Sequence, residues 1–281
     1  MDYRAIDYKN IPVQAEIISG IIRLDVESIN CFRDLDSYVR SDQGVATLVL
    51  RVVNSPLYSR GKQIATIPMA ISVLGFNVVR SLAMLAFSRS MFSKTKDKLF
   101  RLHIWQHSLL CAIAGRDICA ALGAGKAKDE AFIAGLMHDM GKVLLFTHDE
   151  TRYREVLTRV LEQGCPSLEA EQQVFGCDHC QVGREAVTQW KLPERFADFM
   201  GDELSLAQTE FFADPVRLSL AAAHFLIERA GIGGVAGNAI ESSKDALMRC
   251  GLSEVLCNQW LQEDFVPGLM NDDTYQLCAN L

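Results

Sequence analysis

The stretch AFIAGLMHDMGKVLLF, residues 131–146, places a histidine, an aspartate and a lysine inside an otherwise apolar run. A run of this composition and length reads as a helix buried on most sides. A charge taken out of water has to be paired or bound to a metal. His138 and Asp139 therefore either hold a metal ion that does chemistry or form a polar fixture inside the core.

Working outward, Asp129 and Glu130 form the acidic first turn of that helix, favourable at the positive end of a helix dipole. Before it, Trp105–Leu122 is rich in small residues (Ala112, Ala114, Gly115, Ala120, Ala121), so neighbouring helices can approach it closely at the centre of the fold. Val45, Leu48, Val49 and Val52 recur at helical spacing behind a possible Asp42 cap, and the Pro56 of "NSP" stops that helix. A further helix opens near Thr66 and runs to Leu74, Gly75 breaks it, and Val78–Phe87 resumes the pattern. Helices are also expected at 150–163, 167–175, 179–190, 193–203 and 214–230, the last with Asp214 as cap and Pro215 as first helical residue. No alternating strand pattern of useful length occurs. The fold class is all-α, a multi-helix bundle. Residues 1–102 read as an N-terminal helical subdomain, 103–230 as the helical core and 231–281 as a C-terminal helical extension. "GIGGVAG" at 231–237 follows no strand and lacks a Lys-Ser/Thr ending, so it reads as a plain loop rather than a phosphate cradle.

The 281 residues carry a net charge of −7, which argues against broad attraction to a phosphate backbone. Arg80, Arg89, Lys94, Lys96, Lys98 and Arg101 make the most basic segment, read as a solvated helix end and loop. The glycine between two apolar helices in "AISVLGFNVVRSLAM", 70–84, loosely matches a helix-turn-helix, but only Asn77 and Arg80 are polar readers. Nucleic acid is not an expected partner. No apolar run approaches the roughly 18 residues of a membrane helix, and "MDYRAIDYKNIPVQ" lacks the basic start and apolar block of a secretory signal. The expectation is a cytoplasmic protein with no membrane partner. Its nine cysteines read as small hydrophobes in a reducing compartment, and the "CDHC" of 177–180 as two helix-entry cysteines.

Three of the six histidines lie on apolar helix faces. His107 shares a stripe with Ile104, Cys111 and Ala114; His224 sits between Leu220 and Ile227; His138 follows Leu136 and Met137. Each alone is an ordinary hydrogen-bonded core histidine. Together with Asp139 they offer the neutral imidazoles and carboxylate that a divalent transition metal takes. His103 stands one turn before His107 but has no adjacent glutamate, and is expected at the surface or an interface.

Five segments carry a resemblance: "VLRVVNSPLYS" (49–59), "IATIPMAISVLGFNVVRSLAM" (64–84), "IWQHSLLCAIAGRDI" (104–118), "AFIAGLMHDMGKVLL" (131–145) and "FGCDHCQVGREAVTQWKLP" (175–193). In this order they resemble the HDOD domain family, bacterial signalling and regulatory domains within the HD superfamily of metal-dependent phosphohydrolases. The resemblance implies an all-α bundle of HD type. It implies a metal held by a first histidine, a His-Asp doublet and a later aspartate, which carried over are His107, His138 and Asp139, with His224 at or near the place of the last. His179 resembles a histidine that related cyclic-dinucleotide phosphodiesterases use for a second metal. The chain departs from the family in having "FADFMGDE", without a histidine pair, after the "WKLP" segment, and Asp42-Gln43 where an Asp-Pro is familiar.

Two functions follow from the resemblance. One is a non-enzymatic regulatory domain, in keeping with a family usually regarded as non-catalytic, acting on signalling proteins in trans and needing no cofactor; the aromatic and methionine residues of Phe196–Phe212 are either contact points or, as is more common, core. The other is a phosphohydrolase acting on a nucleotide or other phosphoester with a divalent metal (Mn, Mg, Fe or Zn). There Asp139 would be catalytic and Lys142 would stabilise developing charge. Oligomeric state is left open.

Overall fold

The computed structural model describes residues 6–8, 15–58, 63–92, 95–200, 213–234, 240–249, 251–272 and 275–276, and no strand occurs among them. The all-α expectation holds. The chain divides into two compact units, one of Tyr8–Lys94 with Ala186–Glu194, the other of Met1–Asp7, Thr95–Glu185 and Arg195–Leu281.

The first unit holds α1 (Ala15–Arg23), α2 (Cys31–Ser41), α3 (Gln43–Val53), α4 (Ile67–Leu74) and α5 (Phe76–Phe92). Asp42 caps α3 by accepting from the Val45 amide at 2.9 Å, a contact worth about 1 kcal/mol. Val45, Leu48, Val49 and Val52 are all buried, as their spacing requires. Asn54 ends α3 and ties the following loop, exchanging hydrogen bonds with the Ile64 backbone at 2.7 and 2.8 Å. Gly75, at φ 84°, lets the chain turn by 113° between α4 and α5. The returning segment is held by Lys191, whose carbonyl accepts from Ser19 Oγ at 2.6 Å and from the Arg23 guanidinium at 2.6 and 2.9 Å.

The helices of the second unit start with α6 (Lys98–Phe100), which passes through a π-helical turn at Arg101–Gln106 into α7 (His107–Ala121); of the elements that follow, the stretch Ala186–Glu194 belongs to the first unit. Then come α8 (Lys128–Met137), α9 (Met140–His148), α10 (Glu150–Gln163), α11 (Ser167–Phe175) and α12 (His179–Gln189). After a 3₁₀ turn at Glu194–Phe199 follow α13 (Pro215–Arg229), α14 (Ile240–Arg249), α15 (Glu254–Trp260) and α16 (Phe265–Asn271). Helix α7 is buried on almost every face between α8 and α13. Gly135 makes the α7–α8 crossing possible, since a Cβ there would overlap the Cys111–Ala112 backbone. Asp214 caps α13 through the amides of Val216 at 3.0 Å and Arg217 at 3.5 Å.

Two expectations need correction. The helix anticipated over 193–203 is a short 3₁₀ turn, its remainder lying outside the described residues. Of the two readings of Phe196–Phe212, core is the one that holds for Phe196, Phe199 and Met200, which are buried; 201–212 lie outside the described residues. His103, expected at the surface or an interface, is instead buried within the chain. The π turn accounts for it, because one extra residue per turn shifts the face on which a side chain emerges. Among the described residues no single helix is long and apolar enough to cross a membrane.

Candidate functional site

Four elements of the second unit supply the site. The first residue of α7 is His107; His138 and Asp139 form the corner between α8 and α9; Lys142 lies in the first turn of α9; and His224 sits on α13. The corner is tight because α9 starts beside α12, with Gly141 so close to it that a Cβ would overlap the His179 carbonyl.

Backbone carbonyls set both imidazole tautomers. His107 Nδ1 is 2.9 Å from the Ile232 carbonyl, and His138 Nδ1 is 2.8 Å from that of Gly135. A carbonyl only accepts, so each Nδ1 carries the hydrogen and each Nε2 presents a lone pair. Those two Nε2 atoms face each other at 3.2 Å. Burial, then the neighbouring His224, pushes the His107 pKa well below its ordinary value; burial holds His138 down at about 4. Both rings are therefore neutral at pH 7, and no ring proton lies between them.

Asp139 closes the triangle. Its Oδ2 is 3.7 Å from His107 Nε2 and 3.5 Å from His138 Nε2. Three atoms so spaced share a point roughly 2.0 Å from each, the distance at which zinc takes nitrogen and oxygen ligands. Lys142 Nζ lies 3.0 Å from both carboxylate oxygens. The hydrogen-bond geometry is met only at Oδ2, and the buried Oδ1 has no hydrogen-bond partner. Burial alone would raise the Asp139 carboxyl pKa; His138, then Lys142, outweigh it and hold the group well below the usual carboxylate range. With His138 neutral, Lys142 is the nearest cation to the carboxylate at pH 7. The donor set fits a divalent metal: two oriented lone pairs, one carboxylate and a buried oxygen lacking a donor.

His179 and His224 stand differently. His179 Nδ1 and its backbone amide both meet Glu171 Oε2, at 2.7 and 2.8 Å, and Tyr153 donates to Glu171 Oε1 at 3.0 Å. Burial would lower the His179 pKa, but Glu171 overrides it and pushes the imidazole up to about 10. It is thus a cation at pH 7, with Nε2 3.9 Å from Asp139 Oδ1, and offers no lone pair to a metal in that state. The His224 ring packs edge-on to His107 and His138, with centroids 4.9 and 5.4 Å away. Its Nδ1 is 3.4 Å from Glu228 Oε2 one turn along α13.

Several participants escaped the sequence reading. Glu171 is fully buried; its only signal was a place three and four residues before Val174 and Phe175. Cys111 was placed on the His107 stripe but read as a small hydrophobe, and its Sγ is 3.5 Å from His107 Nε2. The glycine-rich loop is more than a connection. Besides the Ile232 carbonyl on His107, the Gly233 amide donates to His103 Nδ1 at 3.2 Å. Gly233 sits at φ 96° against the His107 ring, where a Cβ would overlap it. Histidines one turn apart thus hold two consecutive loop residues over the site.

The family model for the HDOD domain matches residues 11–203. A solved HDOD domain protein of unknown function from Geobacter sulfurreducens superposes with a TM-score of 0.72 at 22% identity, covering 96% of this chain and 91% of that one. A Marinobacter aquaeolei structure, provisionally described as a signal transduction protein, gives 0.73 at 20% identity, over 96% of this chain and 59% of that one. One from Shewanella amazonensis, provisionally described as a phosphohydrolase, gives 0.65 at 17% identity, over 98% and 96%. An uncharacterised Treponema pallidum protein is 22% identical over 165 residues, which is 57% of this chain but only 31% of that relative's length. At these identities the structural likeness speaks for the fold alone, while the family match covers well over half the sequence. The chain belongs to the HDOD domain family.

Proposed function

We propose that the chain is a regulatory domain acting through contacts with signalling proteins, and that its histidine–aspartate cluster binds a divalent cation inside the core without offering it to a substrate. The supporting observation is burial: His107 is 0% exposed, Asp139 1% and His138 3%. Phosphoester hydrolysis needs an open coordination position and basic groups on the phosphoryl oxygens. Here the loop at Ile232–Gly233 lies against the first histidine, and Lys142 is 3% exposed and engaged by Asp139. A cation at this place joins α7 to the α8–α9 corner and satisfies lone pairs that otherwise oppose each other.

A second reading, an HD-type phosphohydrolase, draws on one specific observation. The side chain of His224, beside both ring histidines, is 19% exposed, whereas those of His107, His138 and Asp139 are almost wholly buried. If bound there, a metal would supply a nucleophilic water, His107, His138 and Asp139 would hold it, and Lys142 would keep the carboxylate oriented. Metal analysis of protein purified without chelator, followed by phosphomonoesterase and phosphodiesterase assays with Mn²⁺ or Mg²⁺, separates the two. The regulatory reading expects bound metal and no turnover above background. Turnover abolished by Asp139→Ala, with helicity unchanged, would establish the hydrolase instead.

A further inference from the structure

Cys111 lies one turn beyond His107 on α7 and is fully buried, so the two side chains share a helix face. Its Sγ and the ring nitrogens of His107 and His138 all lie within 4.8 Å of one another. The thiol meets the same His107 Nε2 lone pair that faces His138. Independently, Asp139 Oδ1, on a side chain 1% exposed, has no hydrogen-bond partner. The cluster thus holds a buried carboxylate oxygen without a hydrogen bond and carries a soft donor that the proposed function leaves unused.

We infer that Cys111 is a metal ligand of this centre, joining His107, His138 and Asp139 in a set of two nitrogens, one oxygen and one sulfur that selects zinc or cobalt(II) over magnesium or manganese. Thiolate and imidazole suit borderline-soft cations, whereas magnesium and manganese favour oxygen donors. Charge agrees with this choice. The Asp139 carboxylate is already faced by Lys142, so a thiolate adds negative charge that a dication otherwise lacks here. When the ion binds, the Cys111 S–H bond breaks, the proton passes to solvent, and the sulfur lone pair forms the bond to the metal. Nothing is oxidised or reduced. This assignment rests on the proposal that the cluster binds a cation.

The test uses the full chain, stripped with chelator and titrated with Co²⁺. The expected result is one equivalent bound, with the visible absorption of a four-coordinate ion and a near-ultraviolet thiolate-to-cobalt band. In Cys111→Ser the near-ultraviolet band disappears while visible absorption persists; Cys119→Ser keeps both. Loss of an outer-shell partner alone costs about 10–100-fold in affinity, so Zn²⁺ binding to Cys111→Ser should weaken by at least roughly tenfold. Should that variant misfold, X-ray absorption on zinc-loaded wild type reads the same bond, as a sulfur shell at about 2.3 Å. Visible bands without a sulfur signal in the wild type, or a thiolate band that survives in Cys111→Ser, overturns the assignment to Cys111 and leaves cation binding standing. Failure to bind Co²⁺ at all overturns both.

Discussion

At the scale of single residues, the centre is governed by how few side chains can be charged inside it. Two imidazoles are neutral, so the Asp139 carboxylate depends chiefly on Lys142, 3.0 Å away and also buried, with the His179 cation farther off at 3.9 Å. Removing one member of a buried pair leaves an uncompensated charge, at a cost of about 3–5 kcal/mol. Lys142→Met is therefore expected to lower unfolding stability by that amount in chelator-treated protein, read from denaturant midpoints. Bound Zn²⁺ supplies positive charge to the same carboxylate, so the loss should shrink when the metal is present. An equal loss with and without Zn²⁺ would show that the ion does not compensate Asp139. His138 and Asp139 could be picked out from the sequence because both break an apolar run. Glu171 could not, since one glutamate in "SLEAEQQVF" reads as solvated until Tyr153 and His179 are brought to it.

At the scale of elements, the site is a product of close helix crossings. Its two facing nitrogens belong to α7 and to the end of α8, and Gly135 sets how near those helices come. In Gly135→Ala the added methyl meets backbone rather than a movable side-chain tip, so the helices must separate. Overpacking of this kind costs about 1–3 kcal/mol, and widening the His107–His138 gap should weaken Co²⁺ binding together with stability. A variant that lost stability but bound Co²⁺ as wild type would show that the crossing does not set the gap. Helix existence was readable along most of the chain, because spacing, caps and Gly75 all agreed. The π turn at Arg101–Gln106 was not, since no local spacing signals its extra residue. The same turn explains why His103 lies inside.

For the molecule as a whole, titration of the buried groups shapes the dependence of stability on pH. His138 is held down at about 4 against an ordinary value of 6.5, so between those values the unfolded chain binds the extra proton. Stability then rises with pH across that window, by roughly 3 kcal/mol from this group. Asp139, also depressed, adds a loss in the same direction at still lower pH. His179 works oppositely: raised to about 10, it contributes stability fully below 6.5 and loses it as pH climbs towards 10. Unfolding free energy of metal-free protein should therefore peak near pH 6–7 and fall on both sides. In His179→Gln the alkaline decline should flatten while the acid limb remains. An unchanged alkaline limb would remove His179 as its cause.

The helices, their caps and the HDOD resemblance were determined by sequence alone, because each rests on contacts between residues a few positions apart or on an ordered series of motifs. Which polar groups are buried, which imidazole nitrogen carries its proton and what shares their space were decided only by tertiary structure. Ile232 and Glu171 reach the centre from a loop and from α11, and hydropathy spacing carries no record of what lies opposite a side chain.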